Sequence, residues 1–168
     1  MMPGIQIRPL GDSDWEILRE LRLSALKDSP DSFGPTHESA LAQDEAYWRR
    51  WAAGRPGRLQ AWGAFEGARP VGLISAGVAA ERAAHCGALW VSPSARRSGL
   101  GRQLLETVME WASRNGCERL EFEVTEGNPA ETLYRSMGFR RTGARHPLRE
   151  GSVLEEVTMG IDLTPGSA

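Results

Sequence analysis

The chain has 168 residues, 40% of them hydrophobic and 25% charged, with a formal net charge of −2. That length suits one domain with its own core, and the slightly acidic balance argues against a nucleic-acid partner. Neither a membrane-spanning run nor a secretion signal's apolar stretch is found, and Cys86 and Cys117 have no metal-ligand spacing, so a cytoplasmic, metal-free protein with reduced thiols and no membrane partner is expected.

Ile5 to Leu10 alternates as an opening edge strand, with Pro9 tolerated near its end. Asp12 or Ser13 is expected to cap a helix whose apolar face is Trp15, Leu18, Leu21, Ala25 and Leu26. Ser29-Pro-Asp-Ser-Phe-Gly-Pro35 breaks it. A second helix is expected from about Glu38 to Ala53, with Leu41, Trp48, Trp51 and Ala52 buried, stopped by Gly54-Arg-Pro-Gly57. Leu59–Phe65 and Pro70–Val78 read as strands flanking a hairpin turn at Glu66-Gly-Ala-Arg69, and a further strand runs from near His85 to Val91.

After that strand comes Ser-Pro-Ser94, a basic glycine loop, and an amphipathic helix with Leu100, Leu104, Leu105, Val108, Trp111 and Ala112 on one stripe. Gly99 and Gly101 lack Cβ atoms where the helix starts, so a bulky group can approach the backbone. Helix-start N–H groups have no intrahelical partner and the dipole favours anions there. With Arg96, Arg97 and Arg102 around them, these groups make a site for phosphate or pyrophosphate. GxxxxGK[ST] is absent, and Leu104 stands where a dinucleotide fingerprint needs its third glycine.

Asn115-Gly116 ends the helix. Arg119 to Thr125 alternates as a strand with Glu121 and Glu123 on one face, and Asn128-Pro129 is expected to start a short helix running to Met137 and Gly138. Phe139 opens another strand, Val153 to Met159 is the last, and residues 164–168 form a frayed tail. The order β-α-α-β-β-β-α-β-α-β-β describes one α/β domain around a mixed sheet.

Two motifs carry a family resemblance. Arg96-Arg97-Ser98-Gly99-Leu100-Gly101 after a strand ending Val91-Ser-Pro resembles the R/Q-x-x-G-x-G/A signature of the GCN5-related N-acetyltransferases. Asn128 through Tyr134 to Gly138-Phe139 resembles that family's N-x-x-A-x-x-x-Y-x-x-x-G-F, with Asn128 one residue nearer Tyr134 than in the common form. The resemblance is good over about residues 84–140. It implies a mostly antiparallel mixed sheet flanked by helices and splayed between its fourth and fifth strands. Residues 1–83 would form the acceptor side, 84–140 the acetyl-CoA-binding core and 141–163 the C-terminal strands. Acetyl-CoA is the implied cosubstrate. Its pyrophosphate would lie on the backbone of Arg96, Arg97, Ser98, Gly99, Leu100, Gly101 and Arg102, and its pantetheine against Leu89, Trp90 and Val91, near Asn128 and Tyr134. The other partner would be an amine acceptor, and a homodimer is compatible with the resemblance.

Acyl transfer from a thioester to an amine needs a deprotonated amine, a polarised carbonyl and a protonated leaving thiolate. The resemblance implies Tyr134 as the acid. His85 lies near the strand position where histone-type relatives keep a glutamate, and its imidazole titrates in the useful range. Glu126 is a second candidate base. Glu121 and Glu123 are alternatives that equally read as a solvated face, and a water chain can replace a dedicated base. The acidic bias of residues 12–45 would favour a cationic amine if those side chains lined the acceptor cleft. Two rival readings remain at this point: a non-catalytic acyl-CoA-binding domain, and an interaction module on the same scaffold.

Overall fold

The computed structural model describes residues 4–80 and 82–164. Its elements are β1 (Ile5–Pro9), α1 (Trp15–Asp28), α2 (His37–Leu41), α3 (Glu45–Ala53), β2 (Leu59–Glu66), β3 (Arg69–Ala80), β4 (Ala83–Val91), α4 (Leu100–Arg114), β5 (Arg119–Thr125), α5 (Glu131–Ser136), β6 (Arg140–Pro147) and β7 (Glu155–Asp162). The strands form one sheet in the order β1-β2-β3-β4-β5-β7-β6. Every neighbouring pair is antiparallel except β4 with β5. The strands of that parallel pair are joined by the α4 crossover, because parallel strands need a long connection.

Period-2 alternation along β2, and along β3 from Leu73, divides the apolar side chains between two clusters. Trp62, Ala64, Ile74 and Ala76 pack with α4 and the later strands, joined by Val71 from the register shift opposite Ala64 and Phe65, while Ala61, Phe65 and Leu73 pack with α1 and α3. Leu100, Leu104, Leu105, Val108 and Ala112 give α4 a buried stripe. Burial of each leucine contributes about 1.5–3 kcal/mol, so α4, whose first turn belongs to the basic loop, is held firmly on the sheet.

The parallel pairing of β4 and β5 is short. It covers Ala83 with Arg119, Ala84 with Leu120, and His85 with Glu121, and then the strands part. On the opposite edge of β4, Leu73 pairs Trp90 but Ser75 pairs Gly87, so Ala88 and Leu89 together face Ile74. Ala88 sits at φ 57° in this bulge, which bends the strand. The sheet is therefore splayed between its fourth and fifth strands.

Several expected boundaries shift. The helix expected over 38–53 is two helices. Thr36 caps α2, its Oγ1 accepting from Ser39 N–H (3.1 Å), and Asp44 caps α3, its Oδ1 accepting from Tyr47 N–H (2.9 Å). Leu41, at the break, is 49% exposed rather than buried. Neither Asp12 nor Ser13 caps α1. They belong to a 3-10 turn in which Asp14 accepts from Gly11 N–H (2.9 Å) and from Arg8 (3.0 Å). Asn128 and Pro129 form a turn before α5, not its first residues: Asn128 Oδ1 accepts from Ala130 N–H at 2.9 Å. The last strand begins at Glu155, and Val153 is 97% exposed. Thr164, expected in the frayed tail, accepts a hydrogen bond from Ser113 Oγ (2.5 Å), and residues 165–168 lie outside the described residues.

Candidate functional site

A cleft of about 480 Å³ opens where β4 and β5 part. Leu89, Trp90 and Val91 line one wall, Phe122, Glu123 and Val124 the other, with Leu105, Leu133 and Tyr134 also on its lining. Beyond His85 the β5-facing backbone groups of β4 have no strand partner. Buried backbone groups seek partners, so this edge can receive an extended chain of amides.

Arg96 and Gly101 bring the basic loop to this cleft. Gly99 takes φ 82° and Arg97 φ 65°, and the first backbone bond from the loop into the helix is Gln103 N–H to the Gly99 carbonyl (3.1 Å). The N–H groups of Leu100, Gly101 and Arg102 precede it and have no intrahelical acceptor. A Cβ built on Gly101 would lie 3.8 Å from Leu133 and 4.0 Å from Val91, within the cleft lining. Left-handed backbone at a non-glycine residue such as Arg97 is stored strain of the kind found at ligand clamps. The donor set is thus cationic, rich in free N–H and open at Gly101, and it fits a pyrophosphate.

Tyr134 is 9% exposed, held by α5 with its ring edge-on to Phe122 at 4.8 Å between centroids. Burial pushes its phenol up to about 12, with Cys86 adding to the effect. It is therefore fully protonated at neutral pH and available as a donor inside the cleft. Cys86 is buried beside it, and burial pushes its thiol up to about 12 as well, which leaves it un-ionised and a poor nucleophile.

A second cleft of about 410 Å³ lies toward α1 and α3 and meets the first at Gly87 and Ala88, which line both. His85 lines the second cleft and Glu123 the first. The imidazole Nε2 and Glu123 Oε2 are 2.5 Å apart. That hydrogen bond raises the His85 pKa above its ordinary value against the opposing effect of burial, and it lowers that of Glu123. Also on the second cleft are Trp51, whose indole N–H donates to Ser75 Oγ (2.9 Å), and Arg22. Arg22 is only 8% exposed. Its guanidinium lies 5.1 Å from the Phe33 ring and 5.6 Å from the Trp51 ring, and its Nη1 has no hydrogen-bond partner among the described residues. Burial pulls its pKa down, yet a guanidinium remains charged at neutral pH.

Other residues singled out from the sequence are engaged elsewhere. Glu126 does not line either cleft; Arg141 and Arg145 hold its carboxylate at 3.4 and 2.8 Å. Trp90 and Arg96 line the first cleft, but their polar ends meet Asp28 at 3.1 and 2.5 Å, and Arg96 Nε also donates to the Val91 carbonyl. Leu100 is buried, leaving only its backbone for a ligand. Ser98 Oγ donates to the Ala95 carbonyl (2.6 Å), and Arg102 lies 3.3 Å from Glu106. Asn128 lines the cleft. The acidic residues of 12–45 do not line the second cleft, and Asp12, Asp14, Asp28 and Glu45 are tied to arginines. Sequence reasoning missed Arg22, although it occupies the buried stripe of α1 with Leu18, Leu21, Ala25 and Leu26. A charge on an apolar stripe was the available signal.

A basic loop opening a helix beside a splayed sheet is the layout of an acyltransferase fold. Residues 18–139 match the acetyltransferase (GNAT) family. The chain belongs to that family. Over 72 residues it is 38% identical to the N-alpha-acetyltransferase RimI of Mycobacterium tuberculosis, a match spanning 43% of this chain and less than half (44%) of that relative. The fold is similar to a putative acetyltransferase of Salmonella typhimurium solved with its cofactor acetyl-CoA, at TM-score 0.79 and 21% identity over 98% of this chain and 97% of that one. It is also similar to a ribosomal-protein-alanine N-acetyltransferase of Brucella melitensis, at TM-score 0.76 and 22% identity over 94% and 99% of the two chains.

Proposed function

We propose that this protein transfers the acetyl group of acetyl-CoA directly to a primary amine, with donor and acceptor bound together in the two clefts. The observation that carries this reading is that the clefts share the Gly87–Ala88 backbone, one lined by the phenol of Tyr134 and the other by the imidazole of His85. When bound, acetyl-CoA supplies an activated acetyl thioester.

The chain's own groups divide the remaining work. N–H groups of Leu100, Gly101 and Arg102 hold pyrophosphate, with Arg97 and Arg102 as nearby charge. The unpaired edge of β4 around Leu89 and Val91 aligns the pantetheine amides. Glu123 accepts a hydrogen bond from His85 Nε2–H, so the neutral ring keeps its lone pair on Nδ1 to take a proton from the incoming ammonium, directly or through water. Tyr134 donates a hydrogen bond, and finally a proton, to the departing sulfur. A phenol near 12 is a weak acid toward a thiolate with a pKa of about 8.5 in water. The same burial raises a thiolate's pKa in this cleft, which narrows the gap.

The deciding experiment is thiol release from acetyl-CoA in the presence of a panel of primary amines, with acetyl-CoA binding measured separately. Amine-dependent release supports transfer. Tight binding without release for any amine would make the protein an acyl-CoA-binding domain.

A further inference from the structure

Among the described residues, the second cleft carries a cation, Arg22, with no ion-pair partner. Among the described residues its charged lining residues are Arg22 and His85, and none of the described lining residues is a carboxylate. His85 already has Glu123 as partner. Arg22 is 92% removed from solvent, its fork lies near the rings of Phe33 and Trp51, and Nη1 has no acceptor among the described residues. A buried unpaired charge is strongly unfavourable. Cation–π contacts offset part of that cost, but they leave the in-plane N–H donors unsatisfied. The group that satisfies a planar fork is a carboxylate, accepting two parallel hydrogen bonds.

We infer that the acceptor is a free amino acid, its carboxylate bound by Arg22 and its amine directed toward His85 and the Gly87–Ala88 backbone. This rests on the reading of the second cleft as the acceptor site. The aromatic face of Trp51 and the aliphatic groups of Leu59 and Val78 line the rest of the cleft and favour an amino acid with an apolar side chain. Polyamines, which bring only positive charge, are disfavoured by the same guanidinium. A protein N-terminus lacks the α-carboxylate and loses the contact.

The test compares kcat/KM for apolar amino acids, their C-terminal amides and the corresponding decarboxylated amines, at saturating acetyl-CoA. A charge-assisted bidentate contact in a buried site predicts a preference of about 10- to 100-fold for the acid over the amide. Arg22→Met is expected to bring the acid-to-amide ratio close to one, and Arg22→Lys to give an intermediate ratio because it keeps charge and loses the fork. Thermal melting of each variant checks folding. If Arg22→Met does not fold, the ratio in Arg22→Lys decides. Equal rates on acids and amides in the parent, or an acid-to-amide ratio unchanged by substitution, overturn the carboxylate subsite while leaving acetyl transfer intact. Binding of amino acids is also titrated into the protein saturated with CoA. Binding that favours acids over amides with no turnover of any amine would retain the subsite and overturn transfer. Neither binding nor turnover overturns both.

Discussion

His85 and Glu123 bridge the two strands at the point where they part, imidazole Nε2 to carboxylate oxygen at 2.5 Å. Their backbones are out of register by one side-chain step, since His85 pairs Glu121, and Glu123 is the next residue on that same face of β5. The contact thus closes the end of the splay, with Glu123 lining the first cleft and His85 the second.

With His85 as the proposed base, the pair should set the pH profile. Glu123 raises the His85 pKa above 6.5, and a base must be neutral to act. Rates should therefore rise with pH through a midpoint above 6.5 and level off beyond it. Glu123→Gln removes the largest raising cause and leaves burial, which lowers, against the weaker raising charges of Glu121 and Glu156, so the midpoint should move to lower pH. The acceptor's own titration is common to both proteins, so the difference between their kcat/KM profiles isolates the pair. Superimposed profiles would exclude His85 as the base.

Gly101→Ala separates fold from cofactor binding. The added Cβ meets Leu133 and Val91 at ordinary contact distances, 3.8 and 4.0 Å, and Gly101 is not in left-handed conformation. Replacing glycine by alanine inside a helix should raise stability by roughly 0.5–1 kcal/mol. On the proposed placement of the pyrophosphate the same methyl would stand against its N–H groups, so acetyl-CoA affinity should fall. Calorimetric titration together with thermal melting reads both. A more stable protein with parental affinity would remove the phosphate from this loop.

What could be read from the sequence follows from what is local. The α4 stripe and Gly99-Leu-Gly101 encode a helix and its start within a dozen residues, so the basic loop and its helix were legible. Tyr134 and the splay came through the family motif, since no periodicity says which strands part. The break between α2 and α3 was written in Thr36 and Asp44, but the apolar positions Leu41 and Trp48 masked it. Glu123 reads as a solvated strand carboxylate until β4 brings His85 to it. Glu126, near the right place in the chain, turns to Arg141 and Arg145 because β6 lies across the sheet edge, and nothing local announces that. Arg22 is the instructive omission: its helical phase placed it in the core, where a charge requires a partner.

Arg97 and Arg102 should act through charge. Both are exposed, so their attraction for phosphate is screened, on the scale of a Debye length of about 8 Å at physiological ionic strength. Replacing both with alanine should raise the KM for acetyl-CoA severalfold at low salt and flatten its dependence on ionic strength, with kcat little changed. An unaltered KM at both low and high salt would mean that the backbone N–H groups bind without them.

Tyr134→Phe tests the acid. The substitution removes one oxygen and keeps the ring, so the edge-on contact with Phe122 at 4.8 Å and the packing of α5 should persist. Acid–base catalysis typically contributes ~10²–10⁴-fold. Water in the open cleft can replace part of the lost donor, so kcat should fall roughly 10-fold or more, with acetyl-CoA affinity nearly parental. The size of the fall should depend on the leaving group. A thioester whose thiol has a lower pKa needs less help, so the gap between parent and variant should narrow with such a donor. A loss confined to acetyl-CoA binding would reduce Tyr134 to a wall of the pantetheine channel. Parental kcat, measured where chemistry limits turnover, would take it out of the mechanism.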